Sequence, residues 1–329
     1  MKIIEVVTDA GHLDTIRSLS EQLELEDFWA GATDEMERCS MRLLVQPEQQ
    51  QRVMDALQGI LSASENSHVI MYTPDVIWPV PKEEPGDEKP SSANSVTREE
   101  LYLQIEKGAR LDGNFILLDI LSSIVVAIGL IEDNVAVVIG AMVIAPLLGP
   151  NLALALGSAL GDRKLMGRAL GTNLVGVSLA FILCWFLGFV WSGELDSAEL
   201  LSRTHVGLDG VLLALASGLA AALSLTTGLS SVLVGVMVAV ALLPPVATAG
   251  IMLGAGHHGM AMGALLLLAV NVVCVNLSAK LVFLYKGIRP RTWLEQQKAR
   301  QSYLLFLTVW LITLSVLIAV IYLKFKTST

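Results

Sequence analysis

Two apolar stretches of this chain are interrupted by proline and then by a small polar residue. Residues 145–151 read APLLGPN, with Pro146, Pro150 and Asn151; residues 241–248 read ALLPPVAT, with Pro244, Pro245 and Thr248. Proline has no N–H and its ring clashes with the preceding helical turn. In hydrocarbon, the main-chain groups it frees are tolerated only where protein, water or ligand supplies partners. The pattern therefore predicts two interrupted membrane helices whose breaks line a shared cavity. Asn151 and Thr248 are expected to open the second half-helices, whose N-termini favour anions and carbonyl oxygens. The chemistry implied is binding and passage of a small solute or ion. Two polar turns join the set: Glu132, Asp133 and Asn134 before the first interrupted stretch, and Thr226 and Thr227 before the second. At the membrane surface these are ordinary turns; dipping towards the midplane, a carboxylate there would hold a proton or pair with a cation. Asp119 is the acid set deepest in an apolar run, and Asn173 and Asn271 suit hydrogen bonds between helices.

Covalent chemistry is not legible. The apolar runs contain no HExxH, GxSxG or paired-aspartate motif, so no catalytic residue and no enzymatic activity are expected. Cys39, Cys184 and Cys274 lie far apart with no Cys/His spacing, which gives neither a zinc site nor a disulfide framework. His257 and His258 lack a third ligand and read as a solvated loop. No metal and no cofactor are expected.

The elements that must position these residues are mostly membrane helices. Apolar residues make up 53% of the 329, mean hydropathy is +0.62, and charged residues are only 16%, against about 25% in a soluble domain. Apolar runs cover residues 115–131, 135–160, 169–191, 211–225, 229–254, 260–279 and 303–323. A span needs about 20 apolar residues, so seven spans are predicted, the first and fourth short. Residues 137–150 (VVIGAMVIAPLLGP) and 232–245 (VLVGVMVAVALLPP) align with seven of fourteen identities at an offset of 95, and Gly161 and Gly256 keep that offset. The repeating unit is three spans. Three is odd, so the second copy enters from the opposite face, and an inverted repeat follows. Interrupted helices at matching places in inverted halves are a pattern of secondary transporters.

The front of the chain is different. Residues 1–112 hold 22 acids against 10 bases; so acidic a front argues against nucleic-acid binding, which needs Lys and Arg to displace counterions. Strands over 2–8, 28–33, 41–45 and 69–72, with helices over 12–23 and 47–61, give the order βαββαβ of a ferredoxin-like domain. Asp9, Gly11 and His12 follow the first strand, where a regulatory ligand would sit. No signal peptide opens the chain, so this domain is expected in the cytoplasm. Arg163, Lys164 and Arg168, then Lys280 and Lys286, fall on that side, which obeys the positive-inside rule. The expected partition is a cytoplasmic ferredoxin-like domain (1–78), a Pro-rich acidic linker (79–95) and an amphipathic helix on the membrane surface (96–112). The first three-span repeat (113–195), the second, inverted repeat (208–286), and a basic inner loop with a seventh span (287–329) follow.

Residues 95–162 (SVTREELYLQIEKGARLDGNFILLDILSSIVVAIGLIEDNVAVVIGAMVIAPLLGPNLALALGSALGD) and 235–245 (GVMVAVALLPP) resemble the bacterial and archaeal hydrophobic proteins grouped as domain-of-unknown-function family 389. IGAMVIAPLLGP (139–150) is the specific part, and the resemblance covers residues 95–285. It implies a multi-pass protein of the inner (cytoplasmic) membrane and carries over no catalytic residue. The reading is a transporter or channel regulated by its front domain, with the lipid bilayer and a small solute or ion as partners. Dense small residues over 217–225 and 235–241 also suit a homo-oligomer. The alternative is a non-transporting scaffold or sensor whose soluble domain binds a ligand or partner.

Overall fold

The computed structural model describes residues 1–34, 37–62, 64, 66–74, 97–227, 231–288 and 308–322, with the backbone alone over 231–241. The expected linker 79–95 and residues 289–300 of the basic loop lie outside the described residues. Two compact units divide the chain, Met1–Arg98 and Glu99–Thr329.

In the first unit, β1 (Lys2–Asp9), α1 (Leu13–Gln22), β2 (Asp27–Thr33), β3 (Arg38–Val45), α2 (Gln50–Leu61) and β4 (His68–Tyr72) follow one another. Every strand pairing is antiparallel, in the order β2-β3-β1-β4. Side chains alternate across a strand. Ile4, Val6 and Thr8 of β1 and Cys39, Met41, Leu43 and Val45 of β3 therefore all face inward. Ile16 of α1 and Val53, Leu57 and Leu61 of α2 close that core at helical spacing.

The second unit is helical: α3 (Arg98–Gly108), α4 (Gly113–Ile131), α5 (Val135–Ile144), α6 (Leu148–Leu160), α7 (Arg163–Val190), α8 (Ala198–Ser202), α9 (Leu208–Thr226), α10 (Ser231–Gly254) and α11 (His258–Tyr285), then α12 (Thr308–Tyr322). Side-chain caps start several of them: Asp112 accepts from the Phe115 N–H, Asn134 from Val137, and Asp162 from Lys164 and Leu165. Four helices, α4, α7, α9 and α11, are long and apolar enough to cross a membrane, and the bent pair α5–α6 would make a fifth. Among the described residues, length and composition thus give four or five spans; α12 and the stretch of α10 with described side chains are shorter apolar helices.

The helices fall into matching pairs. α4 and α9 have 19 residues each, α7 and α11 have 28 each, and both pairs start 95 residues apart. Gly161 and Gly256, at the same separation, both adopt left-handed φ, 73° and 85°, which ends α6 and α10 without a Cβ penalty.

The first proline segment is interrupted as expected, and the second is not. In the first half the interruption falls over residues 145–147 and belongs to Pro146. Ala145 takes φ −63°, ψ 126°, because the ring of a following proline disfavours the helical conformation. Pro150 sits in the first turn of α6, where its missing N–H would have had no helical partner. In the second half there is no interruption: Pro244 and Pro245 lie inside α10, which runs through them. Residues 242–252 of α10 are buried on every face, so surrounding packing holds the helix through the two lost hydrogen bonds. Asn151 and Thr248 consequently open no half-helix; Asn151 is the fourth residue of α6 and Thr248 lies within α10. Lys280, read as a charge at the inner surface, is instead fully buried on α11.

Glycines bring backbones together around α10. A Cβ on Gly188 of α7 would stand 2.2 Å from the Ile251 carbonyl oxygen, and one on Gly254 would stand 2.2 Å from that of Trp185. Gly250 meets Phe181, Cys184 and Trp185, and Gly254 meets Trp185, Gly188 and Phe189. Rising numbers meet rising numbers, so α7 and α10 run parallel. Gly188→Ala and Gly254→Ala should each destabilise the protein by about 1–3 kcal/mol through backbone overlap. Gly171→Ala, where nothing stands within 4 Å, should be neutral or better, and thermal unfolding in detergent compares the three.

Candidate solute pathway

The interruption between α5 and α6 turns the chain by 53°. Leu147 pins it: fully buried, it packs with Phe115 of α4 against Gly176 of α7. One turn on, Asn151 is fully buried and its amide donates to the Leu147 carbonyl at 3.0 Å. Two further asparagines converge on it. Asn173 of α7 donates to Asn151 Oδ1 at 3.0 Å, and Asn276 of α11 donates to the same oxygen at 3.2 Å. An amide node therefore joins α6, α7 and α11 directly behind the bend. Asn276 Oδ1 is buried without a hydrogen bond, as is Thr248 Oγ1 on α10.

α3 is seated beside the same bend. Leu101 and Ile105 are buried, and a Cβ on Gly149 of α6 would stand 2.1 Å from the Gly108 carbonyl oxygen. Thr172 of α7 donates to the Ala109 carbonyl at 2.9 Å, and Arg168 donates to Glu106 at 3.1 Å. The Tyr102 hydroxyl donates to Asp162 at 2.7 Å. Burial and that carboxylate together push the Tyr102 hydroxyl up to about 12. Burial pulls Asp162 upward, but the Leu165 N–H, the Tyr102 hydroxyl and the Lys164 N–H outweigh it and hold its carboxyl below the usual range.

The remaining site residues lie elsewhere. Glu132, Asp133 and Asn134 are exposed. Asn134 caps α5, and Asp133, at φ 56°, accepts from the Glu199 N–H of α8 at 2.8 Å. Thr226 and Thr227 bond back to carbonyls of their own helix, with Thr226 buried and Thr227 exposed; the rest of that turn, residues 228–230, lies outside the described residues. The structure brings Pro146, Pro150 and Asn151 together and leaves both polar turns apart from them. In the first unit, the Asp9 carboxylate accepts from the Gly11 N–H at 2.8 Å, and His12 Nδ1 lies 3.4 Å from the hydroxyl of buried Thr8. No group of three acidic, His or Cys ligands forms among the described residues.

The Asn173–Asn151 contact had a signal in the sequence. Both residues stand eleven positions from Asp162, as partners across a helical hairpin do. Asn276 arrives from 125 residues away and had none.

Over this arrangement a family pattern can be laid. The family described as "Domain of unknown function (DUF389)" matches residues 142–277, from the end of α5 to the asparagine node on α11. An uncharacterized protein of Methanocaldococcus jannaschii is 32% identical over 296 residues, covering 90% of this chain and 91% of that one. The chain belongs to the DUF389 family. No solved structure matches it. The DUF389 match takes in both proline segments and ends one residue past Asn276.

Asn151→Ala should cost about 2–4 kcal/mol, because it removes the acceptor shared by two buried amides, of which Asn276 keeps only its bond to the Val272 carbonyl. Asn151→Ala with Asn276→Ala should cost less than the sum of the singles, a coupling that a double-mutant cycle of thermal unfolding measures. Tyr102→Phe should lower stability by about 1 kcal/mol, with a defined pH profile. The Asp162 contribution is present above the unfolded carboxyl value of about 4 and fades as pH falls below it; the Tyr102 contribution is complete below about pH 10 and is lost towards pH 12. The wild-type to Tyr102→Phe difference should therefore be flat from about pH 5 to 9 and shrink below about pH 4.

Proposed function

We propose that the membrane unit is a carrier or channel for a small solute or ion, operating at the α5–α6 bend and regulated by the front domain. The observation that carries this reading is the bend itself: an apolar helix pair turning by 53° at Pro146, with a buried amide node one turn beyond. Such an interruption is tolerated at membrane depth where it is packed in protein or lines a path. The paired helices 95 residues apart support an inverted three-helix repeat. α10, the counterpart of the bent pair, runs parallel to α7 and so opposite to α6. The strand order β2-β3-β1-β4 with two helices supports a ferredoxin-like front domain. Arg163, Lys164 and Arg168 at the start of α7 support an orientation with that end in the cytoplasm. Exposed Leu170, Leu174, Phe186 and Phe189 on α7 suit contact with lipid or a second copy. No catalytic or cofactor chemistry is part of this reading, nor is nucleic acid.

One observation favours the competing reading of a membrane anchor or sensor: α10 is unbroken, so only one half carries an interruption. Flux into proteoliposomes across a panel of inorganic ions, carboxylates, amino acids and sugars separates the two. Wild-type protein should pass at least one of them. Pro146→Ala, which restores an N–H and straightens the pair, should cut that flux at least tenfold (about 1.4 kcal/mol in the barrier) without lowering the melting temperature. Pro150→Ala should leave flux intact. A wild-type protein that passes nothing, or a Pro146→Ala protein that loses flux and stability together, would leave only the anchor.

A further inference from the structure

Asp119 is fully buried on α4, six residues from the start of that helix, or about 9 Å along its axis. Neither carboxylate oxygen has a hydrogen-bond partner among the described residues. One turn further, on the same face, Ser123 is buried with its hydroxyl equally unpaired, while Ser122 donates to the carbonyl of Asp119 at 3.1 Å. α7 sets Cys184 against this turn. Its thiol lies 3.7 Å from the Ser123 carbonyl and within electrostatic reach of Asp119. α10 closes behind Cys184 at Gly250, where a Cβ would stand 2.9 Å from that of Cys184.

Among the described residues, no base stands beside this carboxyl on the elements packed against α4. The α5 and α10 sequences contain no ionisable residue. The bases of α7 lie in its first two turns, where Arg168 pairs with Glu106, and Arg203 after α8 pairs with Glu199. Among the described residues, Cys184 is the titratable neighbour of this carboxyl. A bare carboxylate in such surroundings is not tolerated; it holds a proton or captures a cation. A metal cation asks for about six oxygen ligands, and this turn offers one carboxylate and the Ser123 hydroxyl. A proton needs a single oxygen.

We propose that Asp119 is the proton-binding carboxyl of the membrane unit, protonated in the packed state seen here and deprotonated in another, so that solute movement is coupled to proton movement. The step is a dissociation: the O–H bond breaks, its electron pair stays on the carboxylate, and the proton passes to water that enters with the solute. The Ser123 O–H and the Cys184 S–H are the donors available to the bared carboxylate. The coupling rests on the transport reading; the proton site does not.

Infrared difference titration of the full-length protein in lipid nanodiscs tests the site without a substrate. Wild-type protein should show a buried protonated-carboxyl band that shifts in heavy water and disappears as pH rises. Asp119→Asn should abolish the band. Asp119→Glu, which keeps a carboxyl, should move its frequency and so assigns it even if the asparagine variant folds poorly. Absence of the band at every pH, its persistence in folded Asp119→Asn, or a response to sodium alone would overturn the site. In proteoliposomes, a proton gradient should drive wild-type flux, and Asp119→Asn should lose that drive at least tenfold. A band without any flux supports the proton site and defeats the transport reading; flux indifferent to the gradient overturns the coupling.

Discussion

A main-chain amide taken into an apolar interior must find its partner within the protein, and most of the second unit follows from that demand. Helices meet it internally. At Pro146 that ladder is interrupted, and beside the interruption the Leu147 carbonyl, which opens α6, accepts from a side chain as well, the amide of Asn151. An asparagine used in this way still has an acceptor to satisfy. Asn173 and Asn276 supply the two donors that fill it. The amide node beside the interrupted turn thus joins α6, α7 and α11 at a point. The bend is held both by this directional bonding and by the packing of Leu147 with Phe115 against Gly176.

The same demand is met differently around α10. Pro244 and Pro245 remove two helical hydrogen bonds, yet the helix continues because no bend could gain contacts there. Glycines on α7 and α10 let the two backbones touch, and close backbone approach is what stabilises helix pairs where the surroundings are as apolar as the helices. Bending α10 would pull that seam open. At the offset of 95 residues Pro150 corresponds to Pro245, and neither interrupts its helix, whereas Pro146 at the corner corresponds to Ala241; the half that lacks this proline keeps an unbroken helix.

This explains what could be read from the sequence and what could not. The β-branched run of residues 2–8 and the helical stripe of residues 47–61 mark a strand and a helix, so β1 and α2 were legible to within a few residues. Matching helix lengths were implied by the offset between residues 137–150 and 232–245. The site of the first break was misjudged because two prolines compete in 145–151, and only the one outside a first turn can interrupt a helix. Continuity through Pro244-Pro245 depends on residues of α7 that no local pattern reveals. The burial of Lys280 was hidden because a lysine near the end of an apolar run looks the same whether it snorkels or packs inward.

The matched helices share a skeleton but not their polar groups. At a separation of 95 residues, Asp119 corresponds to Ala214, Asn151 to Val246, Asn173 to Leu268 and Asn276 to Phe181. Every member of the amide node, and the buried acid, faces an apolar counterpart. A pathway built symmetrically would need these groups twice. Here they come once, the acid from α4 and the amides from α6, α7 and α11, while the described side chains of α10 add the buried hydroxyl of Thr248, unpaired among the described residues. The matched helix lengths give two halves of like backbone. Among the described residues, the unsatisfied oxygens of Asp119, Ser123 and Asn276 are buried on α4 and α11 rather than in the turns at residues 132–134 and 226–227, so the polar chemistry of the interior belongs to single helices and not to the paired skeleton.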